Sequence, residues 1–181
     1  TDGGPWNENG VESMARFVKR VEALVDKALS LPEGSTEMGS AEKKLDFVRN
    51  TTIGAVTHDL DLMQFNTSIA RLMEYLNALN DYVAGTVNKG FLLECVKTYV
   101  LLLCPFAPHL GEELWEKLGQ PYSIFNQAWP RVNESALVKD EMKIVIQTNG
   151  KLRGTFEVAK TADKEAIIQQ AKDQIKDFLA D

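Results

Sequence analysis

The sequence predicts a mainly α protein, a helical bundle followed by a small β-β-α module. Three observations lead there. The stretch from Phe91 to Gly119 joins the most apolar helical run of the chain to a Pro-rich corner. Before it, apolar residues recur in threes and fours, the period of helices packed on one face. After it, Asn149-Gly150 stands between β-branched runs, the strongest short hairpin signal.

Residues 1–10 are rich in Gly, Pro and Asn and read as an incoming linker. From Val11 a first helix carries Met14, Phe17, Val18, Val21, Leu24, Val25 and Ala28 on one stripe and ends before Pro32. Ser40 is the expected cap of a second helix with Leu45, Val48, Thr52, Val56 and Leu60 inward. Asn66 is the expected cap of a third, with Ile69, Leu72, Met73, Leu76, Leu79 and Val83 on its stripe. From Phe91 to Cys104 only Glu94 and Lys97 are charged, so the fourth helix is expected to be buried among the others. It is no membrane span, which would need about 20 apolar residues. Pro105 should push Cys104 out of the helical region, and Pro108 can open a fifth helix, where its missing amide costs nothing. Leu110, Leu114, Trp115 and Leu118 face the core there, and Gly119 ends it.

A strap follows, rich in Pro, Asn and aromatics, with Phe125 and Trp129 expected to pack on the bundle. In the hairpin a three-residue loop, Thr148 to Gly150, is the preferred reading. It sets Ile144, Ile146, Leu152 and Phe156 on one face. Asp163 caps a last helix carrying Ile167, Ile168, Ala171, Ile175 and Leu179. The division is therefore 1–10 linker, 11–131 helical domain and 132–181 α/β module.

The net charge of −6 argues against a strongly electrostatic nucleic-acid binder as a whole, yet residues 136–181 carry 8 basic and 8 acidic side chains and are the least acidic part. Cys95 and Cys104 are expected to be reduced and buried, as in a cytosolic protein. The chain begins with Thr and shows no leader, so it reads as a piece of a longer protein. His109 with Glu112 and Glu113 could share a helical face, but no second His or Cys joins them. His58 lies beside Asp59 and Asp61 in a polar helix end with no nucleophile nearby. No Gly-rich phosphate loop appears, so neither a catalytic residue, a metal nor a cofactor is assigned to the chain itself. Basic groups offer more: Arg16, Lys19 and Arg20 within one helical turn, Lys43 and Lys44 opening the second helix, and Lys143, Lys151 and Arg153 on the hairpin could hold phosphates.

Leu103-Cys104-Pro105-Phe106-Ala107-Pro108-His109 with Glu112-Glu113-Leu114-Trp115, preceded by Phe65-Asn66-Thr67-Ser68-Ile69-Ala70 and by Arg16-Phe17 with Arg20-Val21, resembles the anticodon-binding helical domain of the leucyl-tRNA synthetase family. Valyl and isoleucyl enzymes share a variant of this corner. Asn149-Gly150-Lys151-Leu152-Arg153-Gly154 is similar to the leucyl C-terminal module and favours that family. Ser13, Met14 and Gly111 depart from the family's usual small residues or Ala. The HIGH-type and KMSKS-type signatures that bind ATP in this class are absent. The resemblance implies a cytoplasmic ligase that joins leucine to its tRNA with ATP and Mg²⁺. This chain would be its tRNA-binding part, not catalytic alone and working with the catalytic domain of the same polypeptide. It also implies a monomer whose shortened β-β-α module could associate by strand pairing. The competing class is a helical interaction module without a nucleic-acid role.

Overall fold

The computed structural model describes residues 8–85, 87–138, 141–148, 151–159 and 163–174. They form two compact units, divided between Leu137 and Val138. The sequence boundary at 131/132 lies six residues earlier.

In the first unit, α1 (Glu8–Ser30), α2 (Ser40–Asp61), α3 (Phe65–Val83), α4 (Lys89–Leu103) and α5 (Pro108–Lys117) follow in order. Helix α4 is at the centre and packs on α1, α2, α3 and α5. Leu92, Cys95, Val96, Tyr99, Val100 and Leu102 are fully buried along it, but Glu94 is exposed and Lys97 and Thr98 are half-buried, so the helix is buried on one broad face and not all round. Tyr75 of α3 lies against Tyr99 with ring centroids 5.7 Å apart, and its hydroxyl donates to the Cys95 carbonyl at 3.1 Å.

Several expected boundaries move. Helix α1 starts at Glu8, so residues 8–10 are helix and not linker, while residues 1–7 lie outside the described residues. Val11 and Met14 continue its apolar stripe but are exposed, because the core begins at Phe17. Gly39, not Ser40, is the N-cap of α2: its N–H donates to Glu42 Oε2 at 2.9 Å, the N3-carboxylate half of a capping box, and no side chain at the cap accepts a first-turn N–H. Helix α3 starts one residue before Asn66, after Gln64, with no side-chain cap. Asn88 caps α4, its Oδ1 accepting from the Phe91 N–H at 3.0 Å.

At the corner, Cys104 stays helical (φ −51°, ψ −41°) and donates to the Val100 carbonyl at 3.0 Å, contrary to the expected effect of Pro105. A proline disfavours helix before it without forbidding it. The chain turns at Ala107 instead, and Pro108 opens α5. Gly111 sits under Cys104: an added Cβ would stand 3.3 Å from Cys104 Cα, so the close crossing leaves little room for the Ala common in the family. Gly119 ends α5 at φ +69°, the left-handed conformation glycine adopts without strain. Asp26 of α1 pairs with Lys117 of α5, and that bond raises the lysine pKa.

The strap is tied down by polar bonds more than by its aromatics. Trp115 Nε1 donates to the Pro121 carbonyl at 3.0 Å, and Glu112 accepts from the Ser123 hydroxyl and, at 3.1 Å, from the Ile124 N–H. Ile124 is the buried residue, whereas Phe125 is 61% exposed, the reverse of the packing expected. Farther on, Trp129 Nε1 donates to Thr57 Oγ1 at 2.9 Å and the Asn133 N–H to Asn50 Oδ1 at 2.7 Å. The strap thus runs antiparallel to α2 and is fixed at two points, four residues apart in the strap and seven apart on α2.

The second unit is an antiparallel hairpin of β1 (Glu141–Thr148) and β2 (Lys151–Ala159) with α6 (Lys164–Gln174). Ile144 pairs with Phe156 and Thr148 with Lys151, so two residues connect the strands, not three; the connecting residues themselves lie outside the described ones. A register shift at Ile146/Gln147 reconciles the two-residue turn with the Ile144 pairing, and Leu152 consequently pairs with Gln147. Helix α6 packs on β2, with Asp163 accepting the Ile167 N–H at its backbone carbonyl. Ile168, expected inward, is exposed, and Ile175 and Leu179 lie outside the described residues.

Two stability outcomes follow. Trp115→Ala removes a buried indole and its bond to Pro121, and urea unfolding should show a loss of about 3–5 kcal/mol. The second concerns the Tyr82 hydroxyl, which donates to Glu42 Oε1 at 2.5 Å and accepts from the Asn88 N–H at 2.9 Å. The tyrosine bond holds the Glu42 carboxyl below its usual range against the opposing effect of burial. A lowered folded-state pKa means stability present above the unfolded value of about 4.3 and lost as pH falls through the folded one. Tyr82→Phe should cost about 1–3 kcal/mol at pH 7. Its deficit should shrink in acid, which urea melts between pH 2 and 7 would measure.

Candidate nucleic-acid interface

The eight basic candidates divide between the two units. On α1, Arg16, Lys19 and Arg20 are exposed and share a face at helical spacing. Arg16 Nη2 donates to Ser13 Oγ at 3.0 Å and pairs with Glu12 at 3.7 Å, both within its own helix. Arg20 Nη2 donates to Asn77 Oδ1 of α3 at 2.6 Å, which holds its guanidinium across the gap between the helices. Lys43 and Lys44 are exposed in the first turn of α2, where the positive end of the helix dipole adds to their charge. In the backbone register of the hairpin Lys143 lies opposite Glu157 and Lys151 opposite Thr148, while Arg153 is the residue passed over by the register shift.

The histidine groupings dissolve. His109 is exposed, and Glu112 is taken up by Ser123 and Ile124 of the strap. His58 and Asp61 are exposed, but Asp59 turns inward and accepts from Arg71 Nε at 3.2 Å with only 5% of its side chain exposed. Among the described residues no three His, Cys, Asp or Glu side chains are placed to hold a metal ion. Among the described residues no helix is long and apolar enough to cross a membrane.

Sequence reasoning missed one feature. Between α2 and the strap an open cleft of about 400 Å³ is lined by Gly54, Thr57, His58, Asp61, Trp129 and Arg131 among others. The contributing positions are more than 65 residues apart in the chain, so no local pattern marks them.

With this geometry in place, the comparisons are specific. The model of the anticodon-binding domain of tRNA ligases matches residues 43–168, and the chain belongs to that family. Within it, the similarity is to leucine–tRNA ligases. That of Clostridium perfringens (strain SM101 / Type A) is 48% identical over 92% of this chain and 21% of its own length. That of Caldanaerobacter subterraneus subsp. tengcongensis is 44% identical over 99% of this chain and 23% of its own. The fold is that of a leucyl-tRNA synthetase of Agrobacterium radiobacter K84, solved as a ternary complex with tRNA and LeuAMS. There the TM-score is 0.75 at 26% identity, covering 98% of this chain and 24% of that one. The chain therefore spans about a fifth of the length of these curated relatives.

Both cysteines are structural. Burial pushes the Cys95 thiol up to about 12 and raises that of Cys104 as well. Ellman's reagent at pH 8 should accordingly leave Cys95 unreacted in the native protein and titrate it only after denaturation.

Proposed function

We propose that the chain is the tRNA-binding part of a leucine–tRNA ligase, which as a whole joins leucine to its tRNA at the expense of ATP. The observation that best supports this reading is the 48% identity to such a ligase across nearly the whole chain. Its work is positional. A rigid helical body that grips the tRNA frame brings the acceptor end to a reaction centre elsewhere, turning a bimolecular encounter into a held geometry. Phosphate contacts suit that task because they fix register and orientation without reading sequence.

Arg16, Lys19 and Arg20 on α1, Lys43 and Lys44 on α2, and Lys143, Lys151 and Arg153 in the hairpin are the residues assigned to those contacts. A net charge of −6 is compatible with this, since binding depends on where cations cluster and the Debye length is only about 8 Å at physiological salt. By the resemblance to leucine–tRNA ligases, ATP and Mg²⁺ are assigned to the catalytic domain of the same polypeptide, in a cytoplasmic and monomeric enzyme.

Binding of unfractionated tRNA across a salt series tests the proposal. Affinity should fall linearly in log–log form, and Lys43→Ala and Lys44→Ala should each reduce the slope by about 1. Undetectable affinity at low salt, or affinity indifferent to salt, would leave a helical interaction module as the better reading.

A further inference from the structure

We propose that the cleft between α2 and the strap takes a single unpaired nucleotide of RNA, its base stacked on Trp129, with guanine preferred. The inference deepens the tRNA-binding reading and rests on it.

The cleft is preformed. Trp129 Nε1 donates to Thr57 Oγ1 at 2.9 Å, and that hydroxyl in turn donates to the Ile53 carbonyl at 2.7 Å, so the indole is fixed to the helix backbone. On the other side the Asn133 N–H is held by Asn50 Oδ1 at 2.7 Å, and Asn50 Nδ2 donates to the Asp46 carbonyl at 2.9 Å. At Gly54 an added Cβ would stand 3.5 Å from Val132 Cγ2, ordinary van der Waals contact between helix and strap. The cleft, of about 400 Å³, is open to solvent.

What remains open determines the ligand. The only donor of the Trp129 ring is already used, and the residue is still 36% exposed, so it presents apolar π surface. A surface of that kind stacks any base. The charged groups of the cleft are one cation, Arg131, and one carboxylate, Asp61, with His58 beside them. Such a balance does not suit a run of phosphates, which calls for cations alone. It suits a ligand with a flat apolar body, hydrogen-bond donors at one edge and one anionic group. An unpaired nucleotide has all three, and proteins read unpaired bases by stacking and by their Watson–Crick edges. Guanine offers N1–H and N2–H side by side on that edge, a pair that a carboxylate can accept together; adenine has only its amino group there. Asp61 then reads the base and Arg131 holds the phosphate.

The test uses the 181-residue chain with guanosine 5′-monophosphate, guanosine and adenosine 5′-monophosphate. Indole N–H signals are followed by NMR, and Trp129→Phe identifies that of Trp129. The expected result is that guanosine monophosphate shifts the Trp129 signal saturably and binds at least threefold tighter than adenosine monophosphate. Asp61→Asn should abolish that preference, and Arg131→Ala should bring the nucleotide down to the affinity of guanosine. Both variants should bind tRNA roughly tenfold more weakly, with melting temperatures unchanged because both side chains are exposed. A Trp129 signal indifferent to the nucleotides, or equal response to both bases, overturns the proposal. So does wild-type tRNA affinity in both variants, a result that leaves tRNA binding by the domain itself standing. Conversely, loss of tRNA binding by the wild-type chain while guanosine monophosphate still shifts Trp129 removes the tRNA reading and keeps the pocket.

Discussion

Burial of the apolar face of α4 is the constraint on which the rest of the helical unit depends. A helix with seven buried apolar residues along one broad face cannot be stable in water alone and must be packed against others, while Glu94 stays outside. Four helices do this, each giving it one apolar stripe. The stripes explain why α1 and α3 are strongly amphipathic while their outer faces remain available for charge. Even the two cysteines are accounted for this way, as small apolar groups whose thiols burial keeps protonated.

Around that apolar centre, the connections are set by polar side chains acting as local latches. Glu42 receives the Gly39 N–H and the Tyr82 hydroxyl, and Tyr82 also accepts the Asn88 N–H. One carboxylate and one phenol therefore join the start of α2, the end of α3 and the cap of α4. Glu112 does the same for the strap after α5. Buried polar groups of this kind are tolerable because each has its partner, and they specify one arrangement where apolar contacts alone would allow several.

The same division separates scaffold from interface. Groups that close the bundle, such as Asp59 with Arg71, are withdrawn from the surface. Those left outside include short basic clusters at helix positions and the residues of the cleft beside the strap.

Much of the fold was determined by the sequence itself. Helical periodicity marked all five helices of the first unit, and the near absence of charge between Phe91 and Cys104 marked the central one, because burial demands apolar residues at fixed spacing. Pro108 and Gly119 marked the ends of α5 because each has a backbone preference that no neighbour alters. Tertiary structure decided what depends on partners distant in sequence. Cys104 stayed helical because the close crossing over Gly111 outweighed a local preference, and Phe125 gave its inward place to Ile124 once Glu112 held the strap. The hairpin's bulge moved Leu152 out of the expected pairing, since register is a property of two strands together. Of the candidate interface, clusters on single helices were legible, but the cleft was not. Trp129 and Thr57 meet only when the strap folds back along α2, and no periodicity records a contact across 72 positions.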